Sequence, residues 1–439
     1  MSYSSAVASL LALGHELYAT PAHKFDLANM WVLLEALGHP ERRFASVLIA
    51  GTNGKGSTAA TLASILVAAG HRTGLYTSPH LRRVNERFQV NGEEIENDVF
   101  AAIHQRVEQE AARLVGTGEA PWHPSFFEML TAMAFCHFAD AAVRIAVLEV
   151  GMGGRLDATN VVEPVVSVIT DVALDHQKYL GSTISEIAGE KAGIIREHGV
   201  VVTLPQHPQA NDVIGNTILE RNARGVSAVP YVPPVSPGAG GVAESYPLQV
   251  LGETVTIRSP LIGRHQLRNV ALAIAAAVEL NAAGFALTAR DVERGIRETR
   301  WRGRFQRIAA TAGTPEYVLD AAHNPAGAWA LRSTLSERYA ERPITLVFGA
   351  MRDKAIAEMA EVLFPLAAHV IATRAENPRS ATPEEVRDAA ARTGVEVLCE
   401  PDMRAALARA RSITPKDGVM VIAGSIYILG EALAIIEGV

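Results

Sequence analysis

ASVLIAGTNGKGSTAATLASILVAAG, residues 45–70, reads as strand, glycine loop and helix in that order. Ala45 to Ala50 is a short apolar run that stops at a glycine cluster, the pattern of a strand buried on both faces of a parallel sheet. Ser57 to Ala69 is small and apolar without proline or internal glycine, and Gly70 stands where a helix C-cap belongs. Between them lies Gly51-Thr52-Asn53-Gly54-Lys55-Gly56-Ser57. Its glycines let backbone N–H groups turn inward on an anion, the helix start adds a positive dipole end, and Lys55 brings a charge to the outer phosphates. Ser57 offers a hydroxyl to Mg²⁺. The generic GxxxxGK[ST] pattern is not met literally, because Gly56 separates Lys55 from Ser57 and Ile49 takes the first glycine position. A turn that merely links strand to helix is the plainer reading; Lys and Ser in this strand–loop–helix context favour nucleotide binding over it. The loop alone leaves kinase, ATPase and ligase open.

Outward from this segment the pattern recurs. Arg144 to Val150, Val165 to Thr170 and Val200 to Leu204 read as buried strands separated by helical stretches, so the spacing predicts a mostly parallel α/β sheet. Residues 225–260 are rich in Pro and Gly before LQVLGETVTI, whose alternation predicts a small hairpin in a peripheral element. A long helix is expected from His265 to Ala283 and another from Thr288 to Glu298, after which RETRWRGRFQRI breaks the pattern. Strand-like runs at Tyr317–Leu319, Ile344–Phe348, His369–Ala372, Glu396–Leu398 and Val419–Ala423 then alternate with helices. These predict a separate, smaller Rossmann-like α/β domain. The expected division is residues 1–300, carrying the phosphate loop, and residues 301–439.

With 439 residues the chain is long enough for two cores. Forty basic against 47 acidic residues leave a formal charge of −7, so no global basic field exists to hold nucleic acid or an anionic membrane. Cys136 and Cys399 are too few for a disulfide framework and match no metal-ligand spacing, which suits a reducing compartment. MSYSSAVASLLALGHELYAT has no basic stretch before its apolar residues and reads as an amphipathic helix, not a signal peptide. The alanine-rich run Val270–Val278 is too short to span a bilayer. A cytoplasmic location is expected.

GTNGKGST resembles the phosphate loop of the Mur ligase superfamily, and further stretches narrow the match to folylpolyglutamate synthases and dihydrofolate synthases. Tyr76-Thr77-Ser78-Pro79-His80-Leu81, followed by Asn85-Glu86-Arg87, is similar to their folate-binding loop. Glu149 to Asn160 (EVGMGGRLDATN) resembles their metal-site signature, and Asp175-His176 and Glu190-Lys191-Ala192-Gly193 follow in the family's order. Trp301 to Phe305, Asp320 to Pro325 (DAAHNP) and Gly424-Ser425-Ile426-Tyr427 continue the series through the second half. Arg302 replaces a proline common in the Trp301–Arg304 segment of relatives, and Ile426 a leucine.

The resemblance implies an ATP-dependent amide ligase. A folate-type carboxylate would attack the γ-phosphate of ATP, and the amine of L-glutamate would displace phosphate from the acyl phosphate. ATP is implied to be held by Gly51, Thr52, Asn53, Gly54, Lys55, Gly56 and Ser57, by Asn269, and by Arg304 and Asp320 of the second domain. Ser57 and Glu149 are implied ligands of a first Mg²⁺, and His176 of a second. Lys191 is implied to become a carbamate that turns a cation into an anionic ligand; burial would favour the neutral amine this requires. From the helix spacing alone, Lys191 paired with Glu190 or Glu186 is the stronger reading. Asn269 near a helix start could equally be a cap or surface group. His323 and Ser425 are implied to position the acyl phosphate and glutamate. Thr77, Ser78, Pro79, His80 and Arg87, with Ser125, Phe127, Asp157 and Ala158, are implied to bind the folate or dihydropteroate. Core packing is an even alternative for Phe127, at the head of a hydrophobic helix. A monovalent cation such as K⁺ is a further implied cofactor. The expected partners are small molecules only, with the chain a monomer.

Two other functions share the loop. A cell-wall Mur ligase normally carries a UDP-binding domain before it, and the 50 residues preceding Gly51 are too few for one. A nucleotide switch or kinase would not need the second domain with His323 and Ser425.

Overall fold

Val47, Leu48, Ile49 and Ala50 are fully buried in the computed structural model, which describes residues 1–14, 26–234, 245–311 and 314–438. They form the centre of strand β1 (Ala45–Ala50). The described chain divides into two units: one of residues 1–233, 245–260 and 268–299, the other of residues 261–267 and the chain from Arg300 onward. Both are α/β, as the sequence predicts. No helix among the described residues is long and apolar enough to cross a membrane.

The first unit continues with β2 (Thr73–Tyr76), β3 (Phe88–Val90), β4 (Glu93–Glu94), β5 (Ile145–Glu149), β6 (Val166–Ile169), β7 (Val200–Thr203) and β8 (Arg224–Ser227). One sheet joins them in the order β4-β3-β2-β5-β1-β6-β7-β8, parallel from β2 to β8. Strands β3 and β4 add an antiparallel edge that the sequence reading did not foresee. The parallel strand β8 at the other edge was equally unforeseen, because its RGVS lacks the apolar run of the other strands where an edge has little to bury. The remainder of residues 225–260 matches its expectation more closely: β9 (Tyr246–Val250) and β10 (Glu253–Ile257) make a separate antiparallel hairpin. The part of that stretch from 235 to 244 lies outside the described residues. At the N-terminus a helix spans Tyr3–Ala12, with Ser2 as its cap; residues 15–20 of the expected amphipathic helix also lie outside them. Tyr76, Phe88, Phe100, Phe135 and Phe138 pack the core on one face of the sheet.

The second unit holds β11 (Gln306–Ile308), β12 (Glu316–Asp320), β13 (Ile344–Phe348), β14 (His369–Ala372), β15 (Val397–Cys399) and β16 (Val419–Ala423). Their order is β11-β12-β16-β13-β14-β15, parallel except for β11. Phe305, Leu331, Phe348, Phe364 and Val421 fill this core, with Phe348 and Phe364 edge-to-face at 5.3 Å.

At the start of β12, Glu316 anchors the second unit through side chains far apart in sequence. Its carboxylate accepts from Arg307 Nε (2.7 Å), Tyr339 Oη (2.8 Å) and Arg342 Nη1 (2.6 Å). Burial pushes this carboxyl up, but the three donors outweigh it and hold it below its ordinary value. A depressed acid stabilises the fold above its unfolded pKa, and that contribution is lost as pH falls through the folded value. Glu316→Ala is expected to cost about 2–3 kcal/mol, because it removes the ion pairs to Arg307 and Arg342 and takes the acceptor from the buried Tyr339 hydroxyl. Urea denaturation at neutral and acidic pH should show the gap to wild type narrowing on the acid side.

Candidate active site

Four loops leave the carboxyl ends of neighbouring strands β2, β5, β1 and β6, where open α/β sheets place ligand groups. Ile49 lies opposite Glu149 and Ala50 opposite Ile169, so the phosphate loop emerges between Glu149 and the segment that begins at Thr170.

The loop is shaped by close approaches. Gly51 has φ +153, and a Cβ there would lie 1.8 Å from Thr170 Oγ1. Gly54 has φ +88 and caps the helix Lys55–Ala68; its Cβ would lie 2.2 Å from Asn269 Oδ1. Asn269 is 6% exposed and well inside its helix, Arg264–Ala282. It therefore packs against the phosphate loop, and the cap and surface alternatives fall away. Thr52 N and Asn53 N donate to Asp171 O (2.7 and 3.2 Å). Thr52 Oγ1 both donates to Ala173 O (3.0 Å) and accepts from Ala173 N (3.1 Å). Gly56 and Ser57 are buried in the first helical turn.

Lys55 Nζ donates to Gly51 O at 3.0 Å, and so does Lys191 Nζ, also at 3.0 Å. Two amines thus meet on one carbonyl oxygen. Lys191 is 3% exposed; burial first, then the Lys55 ammonium, push it down to about 7 against the pull of Asp175, Asp157 and Glu190. The helix-face pairing is absent: Glu190 bonds Arg155 (2.8 Å), and Glu186 caps its own helix through Ser182 N and Thr183 N. Helical spacing misleads here because Lys191 turns inward from the end of its helix, Ile184–Ala192.

Glu149 is 5% exposed, and its Oε2 accepts from Ser78 N (3.1 Å), so one carboxylate joins the neighbourhood of the phosphate loop to the TSPHL segment. That segment is tightly held. Thr77 N donates to Arg87 O (3.2 Å), the Ser78–Pro79 peptide is cis, and Glu86 accepts from Leu81 N, Arg82 N and Arg83 N. Glu86 had no role in the sequence reading, since a carboxylate collecting three successive amides leaves no mark in residue spacing. Buried Arg87 lies over the Phe126 ring at 5.6 Å and donates Nε to His80 Nδ1 (2.9 Å). Because Arg Nε can only donate, the neutral His80 carries its proton on Nε2.

Phe127 is half-buried, packed 6.0 Å from the Tyr76 ring and against Gly151, whereas Phe126 is the buried member of the pair. Ser125 caps their helix through Glu128 N. The Asp157 carboxylate is occupied within its own loop, accepting from Met152 N (2.9 Å), Thr159 N (3.0 Å) and Thr159 Oγ1 (2.5 Å); Ala158 follows, buried. Asp157 thus first orders the loop after Glu149. His176 has left-handed φ 51 and caps Gln177–Leu180, with Nε2 4.0 Å from Asp175 Oδ2.

The Ser57 hydroxyl and the Glu149 carboxylate are oxygen donors of the kind that suit Mg²⁺, which takes few protein oxygens and completes its shell with water and phosphates. No three His, Cys, Asp or Glu side chains among the described residues are grouped as metal ligands.

In the second unit, Asp320 ends β12 beside Ala423 at the end of β16, so the loops bearing His323 and Ser425 emerge side by side. Asp320 accepts from Phe305 N (2.8 Å) and Ala322 N (2.9 Å), and Arg304 donates to Gly303 O (3.1 Å). His323 Nδ1 is 2.9 Å from Ala321 O, which can only accept, so this nitrogen carries the proton. Ser425 caps Ile426–Glu437 and accepts from Tyr427 N (3.2 Å).

Residues 49–277 match the Mur ligase middle domain, and residues 303–426 the Mur ligase glutamate ligase domain. The chain is 34% identical to the dihydrofolate synthase/folylpolyglutamate synthase of Bacillus subtilis over 412 residues, 93% of this chain and 94% of that protein. The folylpolyglutamate synthase of Mycobacterium tuberculosis, solved with ADP and AMPPCP, superposes with a TM-score of 0.87 at 35% identity, covering 98% of each chain. A folylpolyglutamate synthase–AMPPCP–folate complex gives 0.84 at 32% identity, covering 99% of this chain and 100% of the other. With both domain types in order and similarity along almost its whole length, the chain belongs to the folylpolyglutamate synthase/dihydrofolate synthase family of Mur ligases.

Proposed function

We propose that the protein joins L-glutamate to folate-type carboxylates at the expense of ATP, accepting both dihydropteroate and glutamylated folates. The observation that carries this reading is Glu149, which stands beside the phosphate loop and holds Ser78 of the TSPHL segment, so that nucleotide and acceptor elements share one carboxylate.

Amide formation in water is uphill, and the acid must first be activated. An oxygen of the acceptor carboxylate attacks the γ-phosphorus of ATP and ADP leaves; the amine of glutamate then attacks the acyl carbon and phosphate departs. Lys55 supplies positive charge to the phosphates, and the start of the Lys55–Ala68 helix adds its dipole. Ser57 and Glu149 would hold one Mg²⁺, with His176 at a second position and Lys191, as a carbamate, a further anionic ligand; the ions would supply positive charge to the phosphoryl oxygens. The TSPHL segment, with His80 and Arg87, takes the folate. Phe127 offers a ring for the pterin to stack on. The first unit serves the nucleotide and acceptor, and the second, with Arg304, Asp320, His323 and Ser425, serves ATP and glutamate. K⁺ as an activating ion and a monomeric state belong to the same proposal.

Incubation with ATP, Mg²⁺, glutamate and either dihydropteroate or a monoglutamyl folate tests it, read by mass spectrometry. Glutamylated products from both acceptors are expected. Product from only one removes the dual activity, and ATP turnover independent of glutamate and of every acceptor overturns the ligase itself.

A further inference from the structure

We infer that Gln206, beyond the end of β7, is a positioning residue that sets the shape of the phosphate loop through the segment Asp171–Ala173. Past Ile169 and Thr203 the β6–β7 ladder stops, and Pro205 brings no N–H to continue it. The Gln206 carboxamide takes over. Its Oε1 accepts from Val172 N (2.7 Å) and its Nε2 donates to Thr170 O (3.3 Å), the two main-chain groups that flank Asp171. A parallel strand bonds the same pair of groups on its neighbour, so the side-chain amide acts as one further peptide unit.

The opposite edge of the segment belongs to the phosphate loop. Asp171 O accepts from Thr52 N and Asn53 N, and the Thr52 hydroxyl brackets Ala173. Gln206 is itself fixed, by Asn211 through two hydrogen bonds (Gln206 N to Oδ1, 3.1 Å; Nδ2 to Gln206 O, 3.0 Å). The preceding carbonyl, Pro205 O, accepts from Arg268 Nη2 (2.8 Å), the neighbour of the Asn269 that packs on Gly54. A closed ring results: phosphate loop, Asp171–Ala173, Gln206, Pro205, Arg268, Asn269 and back to the loop. A change at Gln206 frees one edge of Asp171–Ala173 and reaches Thr52 and Asn53 without touching substrate.

This rests on Gly51–Ser57 holding the nucleotide. The test uses the full-length protein and two variants, Gln206→Met, which removes both arms at similar volume, and Gln206→Glu, which keeps only the acceptor arm. Binding of a non-hydrolysable ATP analogue is measured by calorimetry, and KM and kcat for each substrate by product formation. Gln206→Met is expected to weaken nucleotide binding about tenfold, with the KM values for acceptor and glutamate unmoved and the melting temperature little changed. Gln206→Glu should fall between it and wild type. Wild-type nucleotide affinity in Gln206→Met overturns the inference, as does a loss shared by all substrates in step with a lowered melting temperature, or Gln206→Glu as weak as Gln206→Met. A wild-type protein that binds no nucleotide would instead remove the reading of the loop itself.

Discussion

Lys191→Met is expected to lower kcat by about 10²–10³-fold while leaving the protein folded and able to bind ATP. The amine it removes is buried, sits 3.0 Å from Gly51 O and shares that oxygen with Lys55. As a plain cation it would be poorly placed: burial and the Lys55 charge both disfavour the ammonium, which is why it is brought down to about 7. For folding alone, an apolar side chain of similar length should serve as well or better, since removing a buried charge beside another relieves desolvation and repulsion. A large loss of turnover with an unchanged or raised melting temperature therefore separates a chemical role from a structural one. The proposed carbamate has its own signature. Supplied with ¹³C-labelled bicarbonate, the wild type should show a carbamate carbonyl resonance that Lys191→Met lacks. In Lys191→Ala, which leaves space, a short carboxylic acid is expected to restore part of the activity. Wild-type turnover in Lys191→Met would remove the residue from the chemistry.

The same lysine shows where sequence reading loses its grip. ASVLIA and the phosphate loop could be read from composition because a strand buried on both faces must be apolar and a loop that cradles an anion must be glycine-rich. Ile344–Phe348 and Val419–Ala423 were legible for the first reason, and their observed bounds are those expected. Short edges such as β3, β4, β8 and β11 bury little, so no apolar run announces them. Side-chain direction is harder still. The spacing of Glu186, Glu190 and Lys191 suggests a salt-bridged face, yet the carboxylates are taken by Thr183 and Arg155, which leaves Lys191 to the interior. Thr170 and Gln206 act through main-chain groups distant in sequence, and such contacts exist only once the sheet has been assembled. Family resemblance bridged part of that gap, since it pointed to Lys191 and Asn269, whose local spacing favoured other roles.

Gly54→Ala is expected to weaken ATP binding by about 100-fold or more, and the cause is legible at one contact. At φ +88 an alanine bears about 1–2 kcal/mol of strain that glycine does not. Its Cβ would also lie 2.2 Å from Oδ1 and 2.9 Å from Cγ of Asn269, so either the loop or the asparagine must move. Asn269 is only 6% exposed and cannot swing out cheaply. Either movement breaks the arrangement that starts the Lys55–Ala68 helix and aims its first amides. Asn269→Ala alone should cost about tenfold in affinity if, as the family resemblance implies, Asn269 makes a polar contact with the nucleotide. The double variant decides between the two causes. Removing the asparagine also removes the clash, so Gly54→Ala/Asn269→Ala should bind ATP no more weakly than Gly54→Ala and recover part of its loss, leaving only the backbone strain and the missing amide. If the two penalties simply multiply, measured by calorimetry with thermal melts to confirm folding, then Gly54 and Asn269 act independently and the close approach between them does not shape the loop.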